Sequence, residues 1–354
     1  MRLLDAYIGR TVFVAILMVL VLLLGLDFVL GMVAELRRLK LDYQVPEMLI
    51  YLLMKMPQRT YDYLPFASLI GCLVGVGSLA THSELVVMRA AGVSLWRIVW
   101  AVFKPMLLLV MIGTAIGEYV MPYTEHLADS ERALQRAGHQ DSILQQAGVW
   151  HREGDEFQYF NVVEPNGVLH GVSRFRFDEN FRLLESSYAK RAISQGDHWI
   201  LEDVQVSRLE EQRMVSEHSQ TLRWDTGLTT DALNIISVSP EDLSIRGLYA
   251  YVNYLERQGL DASEQELEMW KKLMQPLGII ALIVIGVSFV FGPLRSVTMG
   301  QRVFIGVLFG FGFKIFQDLL SPASMVFGFS PALAVAAPIL LCLLLGWWLL
   351  RGAA

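Results

Sequence analysis

Long apolar runs alternate along this chain with short polar breaks, and one break is long enough to be a domain. About 20 consecutive apolar residues cross a hydrocarbon core about 30 Å thick. Six stretches meet that length: Thr11–Val33, Tyr61–Leu79, Ile98–Val120, Met274–Phe291, Val303–Leu320 and Ser330–Leu350. A further apolar stretch, Glu47–Met56, precedes the second and is broken by Lys55 and Pro57. The first run is too long for a signal-peptide core, and no small-residue cleavage site follows it before Glu35 and Arg37, so it is expected to stay as a span.

Between the third and fourth runs the period changes from helical to alternating. Glu156–Val163, Val168–Phe177, Arg182–Ile193, His198–Arg208 and Met214–Trp224 mix β-branched or aromatic residues with charges at near period two. Turn clusters separate them at 164–167, 178–180 and 195–197, which predicts a sandwich or jellyroll rather than βαβ units. Helical patterning returns over Ser244–Gln258. Another helix is expected from Ser263, whose spacing to Glu266 fits a capping box, and it runs through Trp270 into the fourth span. The expected fold class is an α-helical membrane protein with six transmembrane helices and an all-β jellyroll domain inserted between helices three and four. Its expected divisions are 1–122, 123–262 and 263–354.

The polar break between spans two and three, Thr81 to Lys104, is more than a turn. Ser83 followed by Leu85, Val86, Met88, Ala90 and Ala91 predicts a small amphipathic helix within about 82–96, capped by Ser83, charged at Glu84 and Arg89 and ended by Gly92. Such a helix suits another protein's groove. The alternative is that it lies on the bilayer surface, but Glu84 opposes Arg89 and leaves little attraction to anionic lipid.

Charge is unevenly divided. Residues Met121–Lys272 hold 26 of the 35 acidic residues but 15 of the 29 basic ones, and an acidic inserted domain argues against nucleic acid as a partner. Eight cations near span ends fall on the side of the termini and seven on the side of the insertion, so charge bias alone barely sets orientation. Arg2 and Arg10 before the first span put the termini in the cytoplasm and the β domain in the periplasm. Cys72 and Cys342 lie in apolar spans and read as buried small residues, not a disulfide framework.

No GxxxxGK[ST], HExxH, CxxC or GxSxG occurs, so no intrinsic ATPase, metal site, cofactor site or hydrolase is expected. Arg37, Arg38 and Lys40 follow span one on the side where cations are disfavoured. They read either as snorkelling anchors or as partners for phosphate, which an arginine fork matches bidentately. Inside the spans, Asp27, Glu118, Lys314 and Asp318 are costly unless paired or facing water; Lys314 and Asp318, four apart, could neutralise one another.

The chain resembles the lipopolysaccharide export permeases of Gram-negative bacteria, the LptF/LptG type, over essentially its whole length. The patches that carry the resemblance are Asp5-Ala6-Tyr7-Ile8-Gly9-Arg10, Ser83-Glu84-Leu85-Val86-Val87-Met88 with Ala91-Gly92, Ile116-Gly117-Glu118, and Ser288 through Ser296. The resemblance implies an inner-membrane heterodimer with an LptF-like permease, a dimeric LptB-like ATPase that binds the ATP, and an LptC-like periplasmic protein. It implies lipopolysaccharide as cargo, entering through gates that involve spans one and five. It also implies that Glu84, Leu85, Met88, Arg89 and Gly92 belong to a coupling helix and that Arg37 and Arg38, with Lys40 beside them, lie near lipid A phosphates. The alternative from another class is a non-transporting receptor or scaffold whose β domain binds a periplasmic partner.

Overall fold

The computed structural model describes residues 2–37, 44–137, 148–164, 167–178, 180–210, 213–228, 233, 238–257, 260–292 and 297–353. Among these, six helices are long and apolar enough to cross a membrane. Span one is α1 (Arg2–Leu36) and span two is α3 (Met56–Thr81), preceded by a separate α2 (Val45–Met54). Lys55 caps α2, so the apolar stretch ahead of span two is its own helix and not an extension of the span. The short α4 (Glu84–Ala90) leads to span three, which runs through α5 (Leu95–Ala115), a π-helical turn (Ile116–Val120) and α6 (Met121–Ala137). After the β domain come α7 (Ile245–Arg257) and spans four to six: α8 (Ser263–Phe291), α9 (Met299–Phe327) and α10 (Pro331–Ala353).

The chain divides into two compact units, residues 1–33, 56–121 and 244–354 in one and 34–55 and 122–243 in the other. In the helical unit, spans two and four are the most buried. Span one seats on span two where the latter has no side chains: a Cβ at Gly75 would lie 2.7 Å from the Val12 Cα, and one at Gly71 would collide with the Ile16 backbone. The glycines four apart therefore let two helices inside this chain approach closely.

In the other unit, β1 (Val149–Glu153), β2 (Glu156–Val163), β3 (Val168–Phe177), β4 (Leu183–Ser194), β5 (Trp199–Glu210) and β6 (Arg213–Trp224) pair antiparallel in sequence order as one sheet. Their inward alternation changes phase midway. Phe160, Val172, Ala189 and Val204 point into the core on one side of the change, and Val163, Leu169, Ala192 and Leu201 on the other. Gly171 and Asp203, both at positive φ, lie on that row, and the two halves of the sheet close over one apolar cluster. Trp199 fills its centre and donates from Nε1 to the Leu228 carbonyl at 3.0 Å.

Two expected caps differ. Ser263 is the first helical residue and its side chain caps nothing; instead Asp261 accepts from the Ser263 amide at 3.0 Å. Ser83 occupies the cap position of α4 at φ 59° without a side-chain bond. A capping box does open span five, between Thr298 and Gln301.

Candidate functional site

The α4 end of the helical unit is built from the polar break. Leu85 and Met88, the apolar stripe of α4, are buried in this chain's own core, so they fasten the helix rather than present it. Its solvent-exposed face carries Val86 and Val87, 54% and 66% exposed, with Arg89 and Ala90. Gly92, at φ 86°, donates its amide to the Arg89 carbonyl and turns the chain toward span three. Leu85, Val86 and Arg89 line a cavity of about 1140 Å³ with Phe291 of span four and Trp348 and Arg351 of span six.

Three further ties hold this end, and their long-range pairing is invisible to local patterning. Tyr7 of span one donates its hydroxyl to Glu84 Oε1 at 3.2 Å. Arg97, at the start of span three, donates to both Asp5 oxygens at 3.1 and 3.4 Å. Arg302 of span five is 2% exposed and donates from Nη1 to the Gly77 carbonyl at 2.7 Å and Thr81 Oγ1 at 3.0 Å, pinning the end of span two. Desolvating a guanidinium is expensive unless its donors are met.

Span one and span five turn long apolar faces outward. Met18, Leu22 and Leu30 on the first and Phe304, Leu308 and Leu319 on the second are each at least 60% exposed. Asp27, on span one, accepts from the Tyr63 hydroxyl at 2.7 Å and lies 3.4 Å from Arg59 Nε, so span two neutralises it. Lys314 and Asp318 form the i,i+4 pair at 3.0 Å, both about half exposed. Arg37 is exposed immediately after span one; Arg38 and Lys40 lie outside the described residues.

At the opposite end of the helical unit, the π-helical turn aims Glu118 at α7. Its Oε2 accepts from the Ile245 amide at 2.8 Å, a carboxylate at a helix N-terminus, where the macrodipole favours it.

The other unit holds a partly buried charged cluster. Lys55 Nζ lies 2.7 Å from Glu125 Oε2 and 3.4 Å from Asp129, and Asp242 sits beside them in the turn before α7. Burial works against the Lys55 charge, but the bond to Glu125 and the surrounding acids more than offset it, so its pKa rises. The Asp242 carboxyl also rises above its ordinary value. Burial, then Glu125 beside it, push it up to about 7 against the pull of Lys55. Next to this cluster Arg132 binds Glu35 at 2.6 Å and the Tyr51 hydroxyl at 2.7 Å. The i,i+4 spacing of Glu125 and Asp129 was the available sequence signal; their partners come from distant segments.

Six apolar helices, a β domain after the third and a short helix exposed between the second and third define a polytopic α-helical membrane protein with an extramembrane β domain. The particular family follows from the sequence. The family described as lipopolysaccharide export system permease LptF/LptG matches residues 6–352. The lipopolysaccharide export system permease protein LptG of Escherichia coli (strain K12) is 37% identical over 353 residues, 98% of this chain and 97% of its own. LptG of Haemophilus influenzae is 34% identical over 351 residues, 98% of each chain. The chain belongs to the LptF/LptG family of lipopolysaccharide export permeases.

Proposed function

We propose that this chain is the permease subunit of an ATP-driven ABC transporter that extracts lipopolysaccharide from the inner membrane and passes it to a periplasmic bridge. A dimeric LptB-like ATPase binds at α4 on the cytoplasmic side, where the termini also lie. An LptF-like permease pairs with the outward faces of spans one and five, and the two subunits enclose the cavity for the acyl chains. The β domain is periplasmic and hands the lipid to an LptC-like protein. Arg37, with Arg38 and Lys40, meets the lipid A phosphates.

One observation carries this reading. The helix between spans two and three is fixed by Leu85 and Met88, yet keeps Val86 and Val87 bare within the polar break that separates two apolar runs. A chain without a nucleotide-binding motif needs an external motor, and a bare valine pair beside Arg89 is a contact for one. The partner seats its groove on this face; closure of the ATPase then moves α4 as a rigid body with spans two and three.

Val87→Asp in the reconstituted complex tests it. The ATPase is expected to dissociate or to hydrolyse ATP without lipopolysaccharide release, a loss of about tenfold or more for a hot-spot residue truncated into a charge. Full transport with a normally bound ATPase would leave the docking role without support.

A further inference from the structure

We propose that α2 lies in the bilayer interface on the β-domain side, with Val45, Ile50 and Leu53 bedded at the boundary of headgroups and acyl chains. It gives the β-domain unit a membrane contact of its own. The proposal needs only that the chain spans a membrane, so it stands or falls apart from the docking of an ATPase at α4.

The helix sorts its residues in the reverse of the order that water imposes. Val45–Met54 has ten residues and is about 15 Å long, too short to cross a hydrocarbon core. Glu47, Tyr51 and Lys55, four apart, form one polar stripe, and that stripe faces protein. The Tyr51 hydroxyl accepts from Arg132 Nη1 at 2.7 Å, and Lys55 Nζ lies 2.7 Å from Glu125 Oε2. Glu47 lines the narrow crevice between α2 and α6, together with Arg132. The Arg132 guanidinium stands over the Tyr51 ring, 4.4 Å from its centroid, and donates to Glu35 at the end of α1 at 2.6 Å. Met48 is buried on the same side.

The opposite face holds Val45, Pro46, Leu49 and Leu53, with Ile50 at its edge beside α6, and it carries no charge. Val45, Pro46, Ile50 and Leu53 are all exposed, Leu53 to 61%. Elsewhere in this unit the exposed side chains are charged, as in Arg208 with Glu217 across β5 and β6. One helix therefore reverses the rule that the rest of its unit obeys.

Connectivity says what lies against that face. Only Lys55 separates α2 from the first residue of span two, so the turn that bears Leu53 sits at the end of a span. An interfacial helix buries its apolar face about 5–10 Å into the headgroup and acyl boundary. Such a helix ordinarily leaves its polar face in water. Here α6 and the end of α1 take up the polar face, which fixes the rotation of α2 and so selects the residues that meet lipid. Four exposed side chains are far fewer than the roughly 20–30 residues a side of a stable protein interface.

A fluorophore at Leu53→Cys reads the contact in the chain purified with its partner permease. The vesicles are phosphatidylethanolamine and phosphatidylglycerol doped with brominated phosphatidylcholine. Cys72 and Cys342 are buried, so the added thiol is the one labelled on this chain. The label should lose about half or more of its emission to bromines high on the acyl chain, less to bromines near the chain end, and little to aqueous iodide. The same label at Glu217→Cys, exposed on β6, should respond to iodide alone. Quenching by iodide alone at Leu53 would put α2 in water, and protection from every quencher would put protein over it; either overturns the proposal. Val45→Ser with Ile50→Ser changes two exposed positions that make none of the polar bonds, and thermal unfolding should be unchanged. Shallow quenching of the Leu53 label should weaken about twofold or more in that variant, because interfacial binding scales with buried apolar area. Undiminished quenching there would mean that the flanking spans alone hold α2 in place, which also overturns the proposal.

Discussion

The two units of this chain are held together by opposite rules. In the β-domain unit apolar side chains point inward, around Phe160, Trp199 and Trp224, and the outer face carries ion pairs such as Arg208 with Glu185 and Glu217. Water drives that sorting. In the helical unit the outward-facing Leu22, Phe304 and Leu308 are as apolar as the buried Leu69, Leu73 and Val76. Lipid does not sort them, so contact rests on fit: helices approach where glycine permits it and are tied by a few polar bonds at their ends. Spans two and five make the point. Sixty-seven per cent of the apolar window of the first is buried and 11% of the second, though composition marks both equally as spans.

The largest effect expected from this contrast is at the seat of span one. Gly71→Val must push the Ile16 backbone away, because the new Cβ falls on backbone rather than on a flexible side-chain tip. Overpacking costs about 1–3 kcal/mol even where side chains can yield, so failure to fold or a loss beyond that range is expected. Gly312→Val on span five, where nothing lies within 4 Å, should leave the chain's own stability unchanged. Thermal unfolding in detergent compares the two. Equal losses would mean that the helical unit is not held by fit at this seat.

Legibility in the sequence follows the same division. Period-two alternation gave five strands close to their observed ends, because water imposes the pattern; β1 escaped since Val149–Glu153 is short, at the sheet edge and mostly exposed or half-buried. Six spans were readable from length and apolarity alone. Their burial was not, because a lipid-facing leucine and a core leucine are the same letter. The α4 helix was readable through its polar flanks and Gly92, but its stripe of Leu85 and Met88 turned inward, and the bare face is Val86 and Val87. Ties such as Tyr7 to Glu84, 77 positions apart, have no local periodicity to betray them.

In the β-domain unit the polar cluster offers a different lever, pH. The folded-state pKa of Asp242 is about 7, against 3.8 for an ordinary aspartate. Between those values the native state binds more protons than the unfolded one, so stability falls as pH rises through the window and is flat above it. Burial and the charges of Glu125, Glu241 and Asp129 raise this carboxyl, and Lys55 only partly offsets them. Three pKa units correspond to at most about 4 kcal/mol, and a fraction of that is expected. Asp242→Asn should flatten unfolding stability between pH 5 and pH 7, values set by about the shifted range, and make the variant the more stable form at the alkaline end. A slope identical to wild type would remove Asp242 from the explanation.

The smallest effect should come from charges of the helical unit that fit does not use. Lys314 and Asp318 meet at 3.0 Å on the outward side of span five, each about half exposed. Removing one leaves a lone charge in an apolar span, a cost of about 3 kcal/mol by insertion measurements. Removing both with Lys314→Met and Asp318→Leu takes away the pair together with its desolvation penalty, and replacing paired charges by apolar groups of similar volume is often neutral. The double variant should unfold within about 1 kcal/mol of wild type, while either single variant falls well below it. If the double variant is as damaged as the singles, the pair is holding span five in place, and polar ties rank with close packing as the glue of this unit.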